Sequence, residues 1–300
     1  MKLSYKYRLK LSKEQIEVLQ KNFNFCRFLY NSALEEKISF YKKYKKTISY
    51  NSQSAYLPDI KLNFSEQTKS IYSQSLQQVL KRLDGAYQNF FRRVKSGETP
   101  GFPRYKSVDR MRSICFPQSD LTGFGVKLLE NKSLKIYGIP GEVKVIFHRP
   151  FKGQVKQVTI VKQNNKYYVV LFCDDVQLEI LPPTEKTIAI DLGIDSFVTL
   201  DDGTKYHHPK PYHTAKEKLA FLNRKLALKK RGSNNRQKVK VRLAKTYEKI
   251  TNIREDFQHK LSNKLIKENS VIVIEKLNIK KMLEVKNFKV KKSNIQEASW

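Results

Sequence analysis

The sequence predicts a mixed α/β unit joined to a small all-β body that carries helices. Three observations carry that expectation. The apolar period changes from helical to two beyond residues 97–103, a stretch holding two Gly and two Pro. Two apolar runs without polar alternation, Ile188-Ala189-Ile190 and Val271-Ile272-Val273-Ile274, each lead into a carboxylate, Asp191 and Glu275. Long stripes at helical spacing fill the interval between them.

Element by element, residues 3–11 alternate through Leu3, Tyr5, Tyr7, Leu9 and Leu11, a strand pattern. Ser12 with Gln15 three residues on makes a capping box. Helical spacing then runs through Ile16, Leu19, Phe23, Phe28, Ala33, Leu34, Ile38 and Tyr41 to about residue 46. A polar stretch over residues 51–58 interrupts it. Residues 65–94 read as one further helix, with Ile71, Ser75, Val79, Leu83, Ala86 and Phe90 on one face. Short strands are expected at 112–116, 127–129, 134–137, 143–147, 154–161 and 167–173, with a hairpin turn at Asn164-Asn165, a small barrel or sandwich. After Pro182-Pro183 come strands at 187–191 and 197–200, a turn at Asp201-Asp202-Gly203 and a short third strand. Helices follow at 215–230 and 236–268, the second striped by Val239, Leu243, Tyr247, Ile250, Phe257, Leu261 and Leu265. The strand at 271–275 closes the pattern.

The order of this last third is β-β-β-α-β, as in RNase H-like folds. Unalternating strands are expected to be buried on both faces. A helical crossover lets the second run lie parallel beside the first, so that Asp191 and Glu275 converge at one rim of the sheet. Carboxylates at short range repel unless a cation joins them. Hard oxygen ligands select Mg2+ or Mn2+, and two such ions can drive phosphodiester cleavage. Asp191 would bridge and Glu275 would hold one ion, with Gly193 giving a phosphate backbone room. Asp195, Asp201 and Asp202 sit in turns, where Asp is expected for backbone reasons.

Charge narrows the partner. The 300 residues carry 59 Lys and Arg against 28 Asp and Glu, a formal charge of +31 spread along the chain, which calls for a polyanion. Cys26, Cys115 and Cys173 form no C-x-x-C pair, so no zinc site is expected. His207, His208 and His213 surround prolines without a cysteine and read as a loop. No membrane-spanning run is seen, so a cytoplasmic, nucleoid-associated protein is expected. The densest cationic region is Lys229, Lys230 and Arg231, followed by Arg236, Lys238, Lys240, Arg242 and Lys245. Few acids are interspersed to pair with them, which favours phosphate contact. Arg104 and Lys106 flank Tyr105 beside Phe102, a set equally suited to gripping nucleic acid and to packing a loop.

Several motifs in order resemble the OrfB/TnpB family of insertion-sequence proteins. They are Cys26-Arg27-Phe28-Leu29-Tyr30-Asn31, Gly101-Phe102-Pro103-Arg104-Tyr105-Lys106, Phe116-Pro117-Gln118, Asp191 with Gly193, Gly232-Ser233-Asn234-Asn235-Arg236, Asp256-Phe257-Gln258-His259-Lys260 and Ile274-Glu275-Lys276-Leu277-Asn278. The resemblance implies a wedge-like β-barrel from residues 1–11 and 96–181, a helical recognition insertion at 12–95, and a partial RuvC-like nuclease domain at 184–300. It implies RNA-guided, metal-dependent cleavage of double-stranded DNA, with Asp191 and Glu275 as catalytic ligands and a guide RNA from the transposon end. Arg27, Arg104, Lys106, Lys229, Lys230, Arg231, Arg236 and Lys240 are the expected nucleic-acid contacts. The family pattern continues beyond residues 295–300 into a zinc ribbon and a third catalytic Asp. Neither is in this sequence, so impaired cleavage is expected. A non-cutting binder or repressor on the same scaffold, or a structural RNA-binding protein, stands as the alternative.

Overall fold

The computed structural model describes residues 1–177, 181–193 and 196–278. The chain divides into two compact units, Met1–Leu178 and Glu179–Trp300.

In the first unit, β1 (Leu3–Lys10) precedes the helices α1 (Lys13–Tyr44), α2 (Tyr50–Ala55), α3 (Leu57–Asn63), α4 (Ser65–Thr68) and α5 (Ser73–Lys95). Strands β2 (Ser113–Pro117), β3 (Val126–Leu128), β4 (Ser133–Ile136), β5 (Val143–Ile146), β6 (Gln154–Gln163) and β7 (Lys166–Asp174) follow. They form one antiparallel sheet in the order β2-β6-β7-β1-β5-β4-β3. The first strand of the chain therefore sits at the centre of a sheet whose other strands come a hundred residues later. Met1 is tied there by reciprocal bonds with Val176. The sheet is nearly closed, like a barrel. Where its two edge strands approach, Gly125 (φ +76°) leaves no space for a Cβ, because the Phe116 ring would lie 2.8 Å away. Alternation decides which side chains enter the core: Tyr5, Tyr7 and Leu9 of β1 and Val169, Leu171 and Cys173 of β7 are buried. The β6–β7 turn places both Asn164 and Asn165 at positive φ, as a two-residue type I′ hairpin requires.

The capping box at Ser12 and Gln15 forms in both directions and starts α1. Leu19, Phe23, Cys26, Ala33 and Leu34 bury one face of α1, which packs against Leu76, Val79, Leu80 and Leu83 of α5. The helices depart from expectation in two places. The polar stretch at 51–58 is helical, because Ser49 caps α2 and Pro58 opens α3. The single helix expected over 65–94 is broken between α4 and α5. Asn22 holds Ser70 there through two hydrogen bonds, 3.0 and 2.6 Å long, and Gly138 (φ +70°) lets the Ser70 backbone pass where a Cβ would stand 2.1 Å from its carbonyl oxygen.

The second unit contains β8 (Thr187–Asp191), β9 (Val198–Leu200), β10 (Lys205–Tyr206), α6 (Pro211–Ala227), α7 (Asn234–Glu268) and β11 (Val271–Ile274). The sheet order is β10-β9-β8-β11, antiparallel except for the parallel β8–β11 pair. Ile188, Ile190, Val198 and Leu200 pack under Leu261 and Leu265 of α7. The expected burial of both faces does not occur. Thr187, Ala189 and Asp191 are exposed, as are Val271, Val273 and Ile274, because the helices described cover one face only. Tyr247, expected in the α7 stripe, is exposed, and Thr246 is buried beside it.

Candidate functional site

The parallel pairing of β11 with β8 sets the geometry of the carboxylates. The register runs Val271↔Thr187, Ile272↔Ile188, Val273↔Ala189 and Ile274↔Ile190. Asp191 is the last residue of β8 and Glu275 follows β11 directly, so both leave their strands one step beyond the Ile274–Ile190 rung. Both are exposed. With Ile190 on the covered face, strand alternation turns Asp191 to the open one.

The neighbouring acids are engaged otherwise. Asp201 Oδ2 accepts from the Ala189 N–H at 3.1 Å, closing the ladder beyond β9. Asp202 Oδ1 accepts from the Thr204 N–H at 2.8 Å, and that bond holds its carboxyl below the usual carboxylate range. Asp195 lies outside the described residues. Among the described residues no three His, Cys, Asp or Glu side chains gather as a metal-binding group. His208 is a buried packing residue, its ring against Phe197 and Phe257 and its Nδ1 accepting from the Lys210 N–H. Gly193 has a local reason to be glycine, since a Cβ would stand 2.6 Å from the Ser196 carbonyl oxygen.

The cationic residues divide by what they touch. Lys229, Lys230 and Arg231 are exposed on the connection between α6 and α7. Arg231 and Lys240 line a polar concavity of 450 Å3 at the start of α7, which Ser233 caps. The positive end of the helix dipole points into it. Arg236 lines it too, but its guanidinium bonds the Leu226 and Lys229 carbonyls and so closes the end of α6. Arg104 is exposed. Lys106 is half-buried with its ammonium 4.0 Å from the centre of the Tyr30 ring. Asn31 bonds the Lys106 backbone twice, at 2.8 and 3.1 Å. Burial, assisted by Arg82, pushes the Lys106 pKa down. Tyr105 donates its hydroxyl proton to Glu35, so these two residues fasten the 100–106 loop to α1. Arg27 is half-buried on α1, its Nε buried without a hydrogen-bond partner among the described residues.

Two exposed acids just beyond the last rung of a parallel strand pair, with exposed basic residues on the α6–α7 connection of the same unit, have the chemistry that a phosphate-bearing partner calls for. Residues 164–286 match the family described as probable transposase (OrfB, IS605 type), and residues 1–46 match one described as a helix-turn-helix domain. Residues 1–46 here form a strand and one uninterrupted helix. The chain is 31% identical over 308 residues to a putative RNA-guided DNA endonuclease of Streptomyces pristinaespiralis, covering all of this chain and 72% of that one. It is 30% identical over 280 residues to the putative RNA-guided DNA endonuclease InsQ of Escherichia coli K12, covering 93% and 67%. The chain belongs to the OrfB/TnpB family of insertion-sequence proteins. Its fold is similar to that of a Cas12f1 chain solved by cryo-electron microscopy with sgRNA and target DNA, with a TM-score of 0.55 at 14% identity over 96% of this chain and 71% of that one.

Proposed function

We propose that this protein is an RNA-guided DNA endonuclease in which residues 184–300 form a RuvC-like, RNase H-type cleavage domain. The observation that supports the reading is the β8–β11 register, whose last rung, Ile190–Ile274, is followed on each strand by an acid, Asp191 and Glu275, 84 positions apart in sequence. The sheet order supports it: three antiparallel strands in sequence, then helices, then a strand returning parallel to the first. The relatives named above are described as RNA-guided DNA endonucleases, which supports a guide RNA and target double-stranded DNA as partners.

Paired carboxylates offer hard oxygen donors, which suit a divalent ion such as Mg2+ or Mn2+. Asp191 and Glu275 would hold it, and when bound it would neutralise charge on the scissile phosphate. The remaining work falls to this chain's own residues. Lys229, Lys230, Arg231 and Lys240 would position backbone phosphates without reading sequence. Arg236 would hold that connection in shape by closing α6. The barrel of residues 1–11 and 96–181 and the helices of residues 12–95 would carry the guide–target duplex, with Arg27 and Arg104 facing nucleic acid and Lys106 fixing the loop beside them.

The test is cleavage of a matched duplex by the full chain co-expressed with RNA from the flanking transposon end. Mg2+-dependent cutting, slow or fast, that Glu275→Gln abolishes with RNA binding intact is the expected result, and its rate tests the impairment that the family resemblance implies. Binding without cutting, in wild type and variant alike across Mg2+ and Mn2+, would replace this reading with that of a guide-dependent binder. No helix among the described residues is long and apolar enough to cross a membrane.

A further inference from the structure

The first unit contains a concavity that none of the roles above uses. It lies between α1 and α5, is bounded by Thr47, Ile48 and Ser49, and measures 620 Å3. Its walls come from a change in the fate of α5. Up to Leu83 the apolar face of that helix is core. Beyond it, Tyr87, Phe90 and Phe91 continue the aromatic content, but Phe91 is 45% exposed. Phe102 (48% exposed) and Tyr41 (52%) face the same space. Phe102 meets Tyr87 and Phe90 at 5.6 and 5.4 Å, each at 83°. Rings crossed in this way do not fill the space by stacking on one another, and the concavity is what remains.

Two polar features give the space a chemistry. Asp84 lines the wall and accepts from Gln88 Nε2 at 2.6 Å. Lys37, largely buried, donates to the Ile48 carbonyl and lies 5.5 Å from the centre of the Tyr87 ring. Outside, the last turns of both helices are basic and exposed: Lys42 and Lys43 on α1, Arg92, Arg93 and Lys95 on α5.

We propose that this pocket takes one unstacked nucleobase bearing an exocyclic amino group, from a single-stranded stretch whose phosphates lie along the basic helix ends. Flat aromatic walls suit a base, which every ring can stack on. Asp84 suits the amino group of cytosine or adenine, since a carboxylate there can only accept. The cations suit the phosphates on either side of the flipped base. A wholly apolar occupant would cover the Asp84 carboxylate and add no donor to the one that Gln88 supplies. The proposal rests on the nucleic-acid reading above and adds a site and a base preference to it.

The experiment uses the full chain and single-stranded 20-mers of cytosine, adenine and thymine or uracil, as DNA and as RNA, followed by fluorescence anisotropy over a salt series. The variants are Phe102→Leu, Tyr41→Leu and Asp84→Asn. Each leucine variant is expected to weaken cytosine and adenine oligomers by about 5- to 150-fold, the loss of one base stack, with the salt dependence unchanged. Asp84→Asn is expected to erase the preference over thymine and uracil. Tyr41 is half exposed, so its variant carries the test if Phe102→Leu melts early. A stronger RNA arm would identify the occupant as a guide base, a stronger DNA arm as an unpaired target base. Unchanged affinity in both leucine variants, or no preference for amino-bearing bases in the wild type, would overturn the pocket and leave the nuclease reading standing. If the wild type bound no oligomer at all, both readings would fall.

Discussion

Asp191→Asn is the perturbation that bears most directly on the carboxylate pair. The substitution keeps size and hydrogen-bonding capacity and removes one negative charge. The geometry sets how large the effect should be. Neighbouring parallel strands stand about 4.8 Å apart. Oxygens on opposite sides of a six-coordinate magnesium ion are about 4 Å apart, since each Mg–O distance is about 2.1 Å. Carboxylates leaving β8 and β11 one step beyond the Ile190–Ile274 rung would, at that strand spacing, be near enough to share an ion. Removing one of the two charges removes half of the anionic charge that Asp191 and Glu275 would offer the ion. Metal stabilisation of transition-state charge is worth several kcal/mol, so a loss of about 4 kcal/mol lowers cleavage roughly a thousandfold. The assay has two arms. Single-turnover cleavage of a matched duplex should fall by that factor. Mn2+ binding, followed by paramagnetic resonance on the protein with no DNA present, should weaken in parallel. Affinity for RNA should not change, because Asp191 lies apart in sequence from the basic α6–α7 connection. Wild-type cleavage rates in Asp191→Asn, or cleavage that survives EDTA, would refute the shared-ion argument.

The remaining predictions concern surfaces and cores. Replacing Lys229, Lys230 and Arg231 together by alanine should reduce the slope of log affinity against log salt by about 2–3, from the 0.7–0.9 that each phosphate contact contributes, as read by anisotropy. Arg236→Ala should leave that slope nearly unchanged and lower the melting temperature instead, since it removes charge-assisted bonds to the Leu226 and Lys229 carbonyls worth about 1–3 kcal/mol. Gly138→Ala should destabilise the chain by at least about 1–2 kcal/mol in urea unfolding, from its left-handed backbone alone, with the Ser70 clash added. Burial pushes the Cys26 thiol up to about 12 from an ordinary value of 9.0. The unfolded chain then ionises this thiol first, so the stability Cys26 contributes is complete below pH 9 and is lost as pH rises towards 12. Urea unfolding at pH 8 and pH 10 should show the decline, and Cys26→Ala should flatten it.

Much of the fold was legible because local patterns and tertiary demands agree. The alternation of Tyr5, Tyr7 and Leu9 marks β1, although nothing local says that β1 pairs with β7 some 160 residues away. Asn164-Asn165 announces its hairpin because few residues tolerate two positive φ values in succession. The break between α4 and α5 was not legible. No Gly or Pro marks it, and the cause is a side chain, Asn22, arriving from another helix. Burial on both faces of β8 and β11 was expected from their apolar runs. Such a run specifies that a strand can be covered, while the covering depends on which helices pack there.

The same distinction separates the acids from the bases at the candidate site. The sequence could suggest placing Asp191 beside Glu275 because a strand fixes its residues along one axis, and the parallel pairing of β8 with β11 is what that suggestion requires. A cation on a long side chain has no such constraint. Lys106 and Lys229 look alike in sequence, yet the Tyr30 ring and the Asn31 amide hold Lys106 in place, while Lys229 stands in solvent. Arg236 and Lys240 share one helix, and only Arg236 reaches back to carbonyls. The charge of +31 therefore overstates the number of groups free to meet phosphate, and each immobilised cation lowers the salt dependence of binding below what composition suggests. A measured slope well short of one unit per exposed basic residue is the expected signature of a protein that uses part of its positive charge to hold its own loops.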